Sequence, residues 1–307
     1  MTTILINGFG RIGRLITRLI LESSFAAADD AHSPRMIIAT INDIHNDPIT
    51  TAYLLEFDSA HGKWQGFTCT GSTTAGSTAG ESAVSIMSVT RDSDGRTMTI
   101  PITGHASITD MDVSGIHIVC ECSGQNKTKE SFAPMFEGGV KKIIVSCPLK
   151  EENIPNIVMG VNQALYDPNI HNIVTAASCT TNALAPVVQI LHEQVGIKHG
   201  FITTIHNSTN TQCVVDTAWP GQKEIRRTRA ASMNLIPTTT GSAKAITQIF
   251  PELDGLLDGR CVESFSSFFL LRFFVSFFLL SSHFSFLYTL THFFFSLFFI
   301  FSFLIVL

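Results

Sequence analysis

Short apolar runs alternate with a helical pattern in the first part of the chain. Thr3–Asn7 is apolar and β-branched, Arg14–Glu22 carries its apolar side chains at helical spacing, and Met36–Ile41 is a second β-branched run. A strand, a helix and a second strand in this order predict the start of a doubly wound parallel sheet of the Rossmann type. We assign this α/β domain to residues 1–170.

The pattern changes beyond residue 170. Ile173–Ala176 leads into a helical pattern over Ala183–Val195, and Phe201–Ile205 is a further strand. These elements predict an α+β catalytic domain over residues 171–260, which we expect to be incomplete. Within the first domain, residues 66–81 are rich in Gly, Ser and Thr, and we predict a loop or a weak hairpin there.

A glycine motif joins the first strand to the first helix. Gly8, Gly10 and Gly13 have the spacing at which the first glycine makes the turn, the second admits a pyrophosphate and the third lets helix and strand approach closely. The helix dipole then favours the phosphate charge. A glycine turn without a ligand is the alternative.

Asp43 follows the second strand. An acidic residue there accepts hydrogen bonds from the adenosine ribose and repels a 2′-phosphate, which favours NAD over NADP. Asp43 lies about 30 residues after Gly13, beyond the usual ~20, and a polar insertion accounts for the difference. A carboxylate that only caps the loop is the alternative.

Cys179 stands at a strand-to-helix junction, and His206 ends the next strand. A helix N-terminus stabilises a thiolate, and a thiolate can attack an aldehyde to form a hemithioacetal and then a thioester. His206 could activate the thiol and move the proton. A buried structural cysteine and an ordinary polar histidine are the alternatives.

Charge and cysteine usage exclude several function classes. The formal net charge is -5, and the only basic run is Arg226-Arg227-x-Arg229, so we expect no nucleic-acid partner. The 7 cysteines show no disulfide-like spacing, and Cys120-x-Cys122 lies in an apolar run without a second pair, so we expect core thiols and no metal. A strand directly after Met1 leaves no room for a signal peptide, which favours the cytoplasm.

Six motifs together resemble the phosphorylating glyceraldehyde-3-phosphate dehydrogenases. They are Asn7-Gly8-Phe9-Gly10-Arg11-Ile12-Gly13-Arg14, Asp58-Ser59-x-His61-Gly62-Lys63, Val158-Met159-Gly160-Val161-Asn162, Ala177-Ser178-Cys179-Thr180-Thr181-Asn182, Thr203-Thr204-Ile205-His206 and Pro237-Thr238-Thr239-Thr240-Gly241. Their order and spacing match from Thr3 to about Gly259. The Ser-Cys-Thr-Thr-Asn motif is highly specific to that family and its close relatives.

The resemblance implies an NAD-dependent oxidation of glyceraldehyde 3-phosphate, with inorganic phosphate, in a homotetramer. It makes Cys179 the nucleophile and His206 its activator. Arg11 and Ile12 would lie at the pyrophosphate, Asp43 at the ribose and Ser146 near the cofactor. The implied phosphate ligands are Ser178, Thr180, Thr240 and Gly241 for inorganic phosphate, Thr209 for the substrate phosphate, and Arg227 as a further ligand.

Two departures from the family pattern change the expectation. The segment after His206 reads Asn207-Ser208-Thr209, which resembles the branch associated with arsenate resistance, so arsenate is a second candidate acceptor. Glu263 stands roughly where the family has a phosphate-binding Arg. Because the C-terminal half of the family's catalytic domain is also not recognisable in this sequence, a catalytically inactive relative that binds a nucleotide or a partner protein is the alternative to an active enzyme.

The tail, residues 261–307, does not resemble the family. From Phe265 onward it is nearly all Phe, Leu and Ser, with Arg272 as the only charge. A membrane anchor and a divergent completion of the domain are two interpretations. Translated non-coding sequence from a pyrimidine-rich tract is the third and the favoured one, because such codons specify these residues. A membrane is a partner only if the tail is genuine protein.

Overall fold

The computed structural model describes residues 1–28, 36–45, 47–74, 84–151, 153–209, 211–218, 224–238 and 240–264. The described residues divide into two compact units: Met1–Ile157 with Ala164–Ala177, and Val158–Gln163 with the residues from Ser178 to Ser264. Residues 171–177 thus group with the first unit, although the sequence places the boundary near residue 170. No helix in the described ranges combines the length and apolarity needed to cross a membrane. The predictions for the tail from Phe265 onward lie outside the described residues.

The first unit contains an eight-stranded sheet and three helices. Its strands are β1 (Thr2–Asn7), β2 (Met36–Asn42), β3 (Phe57–Asp58), β4 (Gly62–Lys63), β5 (Phe67–Thr74), β6 (Val84–Arg91), β7 (Thr97–Thr103), β8 (Ile118–Glu121), β9 (Lys142–Val145) and β10 (Ile173–Thr175). Its helices are α1 (Arg11–Ala27), α2 (Pro48–Glu56) and α3 (Ala133–Glu137). β3 and β4 form a separate antiparallel pair.

The strand order of the large sheet is β10-β9-β8-β1-β2-β7-β6-β5. The first six strands in this order are mutually parallel, and β6 and β5 continue the sheet antiparallel. The predicted doubly wound sheet is confirmed. Of the loop or weak hairpin expected at 66–81, the loop is wrong for Phe67–Thr74, which forms a regular strand paired antiparallel with β6 along its whole length, and residues 75–81 lie outside the described residues.

β1 is the central strand that positions the glycine motif. It pairs with β2 on one side and β8 on the other, so the chain crosses over in both directions from β1. Its side chains alternate between the two faces: Ile4 and Ile6 join one buried cluster with Phe25 of α1, and Leu5 joins the other with Phe132. The carboxyl end of β1 is therefore the topological switch point, where such sheets bind ligands.

The described residues of the second unit include a three-stranded sheet. Its elements are α4 (Cys179–Gln194), β11 (Gly200–Asn207), β12 (Ile236–Thr238), α5 (Ser242–Ile249) and β13 (Leu257–Ser264). β13 lies between β11, which runs parallel to it, and β12, which runs antiparallel. Helix α5 contacts both α4 and β13. Residues 261–264 belong to this sheet, because β13 continues past residue 260, where the sequence-based assignment of the catalytic domain ends.

Candidate active site

The glycine motif forms a tight connection between β1 and α1. Gly8 has a φ of +91°, and a Cβ on it would lie 2.4 Å from the backbone nitrogen of Ser123. A Cβ on Gly13 would lie 2.1 Å from the carbonyl oxygen of Gly8. Gly10 differs, because its Cβ would meet nothing within 4 Å. Two glycines therefore serve the turn itself, while the third leaves open space at the first turn of α1.

Asp43 lies against this connection. Its carboxylate accepts hydrogen bonds from the backbone N–H of Phe9 at 2.6 Å and of His45 at 2.8 Å. Arg11 is exposed and Ile12 half-buried at the start of α1. Asp43 thus contacts the glycine connection, which is where a residue that binds the nucleotide is expected. Its hydrogen bond to the ribose stays a prediction.

A buried polar network at the same strand ends was missed by the sequence analysis. Glu121, 1% exposed at the end of β8, accepts hydrogen bonds from the side chains of Asn7 at 2.6 Å and Asn126 at 2.9 Å. Asn42 donates to Asn7 at 2.9 Å, and the backbone N–H of Ser146 donates to the Glu121 carbonyl at 2.9 Å. These bonds tie β1, β2, β8 and the end of β9 together beneath the glycine motif. The one sequence signal for this network was Glu121 itself, a carboxylate at the end of an otherwise apolar strand.

Cys179 is the first residue of helix α4. Ser178 caps this helix, because its hydroxyl accepts a hydrogen bond from the backbone N–H of Thr181 at 3.1 Å. The first-turn N–H groups and the helix dipole therefore act on the Cys179 sulfur, which favours the thiolate. Cys179 is exposed, unlike the buried cysteines in β8 and β13.

His206, near the end of β11, contacts this sulfur. The Sγ atom of Cys179 and Nε2 of His206 are 3.2 Å apart. Nδ1 of His206 lies 2.7 Å from the Asn207 carbonyl oxygen, which can only accept, so Nδ1 carries a proton and Nε2 faces the sulfur. Cys179 and His206 are therefore in contact rather than two unconnected structural residues. The catalytic roles of both residues stay predictions.

The contact shifts both groups toward an ion pair. The hydrogen bond to His206 lowers the pKa of Cys179 and outweighs burial, which acts in the opposite direction. The same hydrogen bond raises the pKa of His206 to about 9. Burial raises the pKa of Cys69 and Cys122 to about 12, and that of Cys120 to about 11. Cys179 is therefore the thiol in this set whose pKa is lowered, while burial raises the pKa of the other three.

The predicted phosphate ligands of the second unit fall into three places. Ser178 and Thr180 flank the nucleophile, and hydrogen bonds from Thr180 help to lower the pKa of Cys179. Thr209 is exposed, and its hydroxyl lies 2.8 Å from that of Thr211. Thr240 and Gly241 precede helix α5, where Thr240 accepts a hydrogen bond from the backbone N–H of Ser242 at 3.2 Å.

Arg227, the remaining predicted ligand, is linked to Thr209 through the hydroxyl of Thr211. It donates to the Thr211 hydroxyl at 2.9 Å and forms an ion pair with Glu263 at 2.7 Å. Glu263 is 5% exposed. The charge of Glu263 is visible in the sequence, but its pairing with Arg227 is not, because the two residues lie 36 positions apart along the chain.

Comparisons with known proteins agree on one family. The model of the glyceraldehyde 3-phosphate dehydrogenase NAD binding domain matches residues 2–129, and that of the C-terminal domain matches 178–264. A glyceraldehyde-3-phosphate dehydrogenase 3 from Nostoc sp. is 46% identical over 257 residues, which are 84% of this chain and 67% of the relative. The enzyme from Geobacillus stearothermophilus is 39% identical over 83% of this chain and 67% of its own. A cytosolic form from Gracilaria gracilis is 39% identical with the same shares.

Proposed function

The chain belongs to the glyceraldehyde-3-phosphate dehydrogenase family, and from this premise we propose that it oxidises glyceraldehyde 3-phosphate through a thioester on Cys179. The observation that carries the proposal is the 3.2 Å contact between Cys179 Sγ and His206 Nε2 at the N-terminus of α4. NAD is the cofactor, because the family model of the NAD binding domain spans the glycine motif.

The first chemical step uses both residues of the pair. The Cys179 thiolate forms a bond to the aldehyde carbon, and the carbonyl π electrons move onto the oxygen. The N–H groups of the first turn of α4 and the protonated His206 stabilise this oxyanion. NAD, when bound, supplies the acceptor for the hydride that leaves as the carbonyl forms again. The product is a thioester of Cys179.

Release of the acyl group restores the thiolate. An oxygen of inorganic phosphate attacks the thioester carbon, and the C–S bond breaks with its electrons returning to Cys179. The hydroxyls of Ser178, Thr180 and Thr240 and the Gly241 N–H are the proposed ligands of inorganic phosphate, and Thr209 is the proposed ligand of the substrate phosphate, since hydroxyl and backbone donors suit phosphate oxygens. Arg227 is a further proposed ligand, and its ion pair with Glu263 limits that role.

Arsenate is a second proposed acceptor, supported by the Asn207-Ser208-Thr209 segment, and it differs little from phosphate in shape and charge. We expect NADH to form from glyceraldehyde 3-phosphate and NAD with either oxyanion, measured by absorbance. A clear preference for phosphate would count against the arsenate proposal. Binding of NAD without NADH formation with either oxyanion would favour the inactive alternative.

The proposed nucleotide ligands are Gly8, Gly10, Arg11, Ile12, Gly13, Asp43 and Ser146. The open space at Gly10 and the Asp43 carboxylate beside the glycine connection fit a dinucleotide at this strand end.

Replacing glycines of the motif one at a time separates nucleotide binding from folding. Gly10→Ala is expected to raise the dissociation constant of NADH at least tenfold, because the Cβ enters space proposed for the pyrophosphate. Its unfolding free energy should change by less than about 0.5 kcal/mol. Gly13→Ala should lower the unfolding free energy by about 1–3 kcal/mol, because its Cβ meets backbone. Fluorescence titration and urea unfolding measure the two effects; wild-type NADH affinity in Gly10→Ala would exclude the pyrophosphate from that position.

We also propose a cytoplasmic location and a homotetramer. A relative with a cytosolic name supports the location, and the family resemblance supports the assembly. Sedimentation of the purified chain measures the subunit number.

A further inference from the structure

Arg227 and Glu263 form a two-point ion pair inside the second unit. The terminal nitrogens of Arg227 lie 2.7 Å and 3.0 Å from the two carboxylate oxygens of Glu263. The Glu263 side chain is 7% exposed and that of Arg227 is 20% exposed. A guanidinium binds a phosphate through this same pair of parallel hydrogen bonds. The carboxylate therefore occupies the face of Arg227 that an incoming oxyanion would use.

Two further contacts involve donors of Arg227. One terminal nitrogen also donates to the Thr211 hydroxyl at 2.9 Å, and Nε lies 3.5 Å from the Glu224 carboxylate. An anion can reach the guanidinium fork only by displacing Glu263. Because Glu263 is held on β13 within 2.7 Å of Arg227 in the same unit, its effective concentration there is on the order of millimolar or higher.

The pair lies beside the proposed catalytic histidine. Glu263 on β13 is the register partner of His206 on β11, and the strands are parallel, so both side chains leave the same face of the sheet. Arg227 donates to the Thr211 hydroxyl, which lies 2.8 Å from the hydroxyl of Thr209, the proposed ligand of the substrate phosphate. Arg227 therefore lies close to the proposed site of the substrate phosphate, and its guanidinium is already paired with Glu263.

We propose that Glu263 is a specificity-determining residue, an internal anion that neutralises Arg227 and competes with phosphate groups for it. The inference rests on the proposed aldehyde oxidation at Cys179. It predicts that Glu263 lowers the preference for glyceraldehyde 3-phosphate over unphosphorylated glyceraldehyde. Removing the carboxylate charge frees Arg227 for the substrate phosphate or for inorganic phosphate.

Glu263→Gln tests this, because glutamine keeps the size of the side chain and one accepting oxygen while it loses the charge. The first readout is kcat/KM for glyceraldehyde 3-phosphate divided by kcat/KM for glyceraldehyde. This ratio cancels any effect of the variant on His206, which serves both substrates. We expect the ratio to rise at least tenfold. The second readout is the dissociation constant of inorganic phosphate from ³¹P NMR titration, expected to fall at least tenfold.

Glu252→Gln is the charge-matched control, because Glu252 is an exposed carboxylate of the same unit that pairs with His192. It should leave the ratio and the phosphate affinity unchanged within twofold. A ratio and an affinity in Glu263→Gln that equal those of the control would overturn the proposal. If wild type oxidises neither aldehyde, the proposed function fails, and the phosphate titration still decides the role of Glu263.

The double variant Arg227→Met with Glu263→Met covers the case in which Glu263→Gln does not fold. It replaces the ion pair by apolar side chains of similar length, a change that buried pairs often tolerate. Circular dichroism verifies the fold. If Glu263 neutralises Arg227 in wild type, this variant binds phosphate within twofold of wild type. A loss of tenfold or more would mean that Arg227 already binds anions in wild type, which contradicts the proposal.

Discussion

Cys179→Ser is expected to lower the rate of NADH formation by about four orders of magnitude or more. The pKa of a serine hydroxyl is far higher than that of a thiol. The contact with His206 and the helix N-terminus would lower it, but not enough to ionise the hydroxyl near neutral pH. The variant should still bind NADH with wild-type affinity, because the glycine motif lies in the other unit. Absorbance at saturating substrate and fluorescence titration measure the two properties.

Cys69→Ser is the matched control for this variant. Cys69 is half-buried in β5, and burial raises the pKa of its thiol to about 12, so it has no nucleophilic character near neutral pH. The control should form NADH within about twofold of wild type. Substantial turnover in Cys179→Ser would contradict a thioester on this residue, whereas equal losses in both variants would indicate a folding defect.

The local parts of the fold could be predicted from the sequence. The β-branched run, the glycine motif and the helical spacing of α1 lie within about 27 residues of each other, so short-range patterning defines them. The same holds for Cys179, because a strand, a cap residue and a helix follow one another along the chain. The order of these elements was enough to predict the parallel sheet, since strand-helix-strand connections restrict the topology to few choices.

The residues that were missed depend on long-range pairing. β5 has many Gly, Ser and Thr residues and forms a strand only because β6 pairs with it. Glu121 gains its polar partners from β1 and from the chain after β8, which sequence periodicity does not reveal. Arg227 and Glu263 meet because β13 inserts between β11 and β12, and their separation of 36 residues leaves no local pattern.

His206→Asn is expected to lower kcat/KM for glyceraldehyde 3-phosphate by about 10²–10⁴-fold. Asparagine has no titratable group, so it neither holds the positive charge beside the sulfur nor moves a proton. The thiolate then loses the largest of the contacts that lower its pKa, and the helix N-terminus and the Thr180 hydroxyl remain to favour ionisation. Steady-state kinetics measures the loss, and His199→Asn, an exposed histidine just before β11, is the matched control.

The pH dependence of alkylation separates this electrostatic role from a structural one. In wild type, the depressed pKa of Cys179 keeps the thiolate present as pH falls below the ordinary thiol range, and the imidazolium persists up to its raised pKa of about 9. Iodoacetamide should therefore modify Cys179 rapidly at neutral pH. In His206→Asn the rate at neutral pH should fall about tenfold or more and recover above pH ~9, where an ordinary thiol ionises.

Site-resolved mass spectrometry follows each cysteine across the pH range. Cys120 and Cys122, whose thiols have raised pKa values, serve as internal references that should react slowly at every pH below about 10. An alkylation profile of His206→Asn that coincides with wild type would remove His206 from the activation of Cys179. A loss of turnover with that unchanged profile would leave His206 only its role toward the substrate oxygen, because the thiolate would then owe its stability to the helix N-terminus and Thr180.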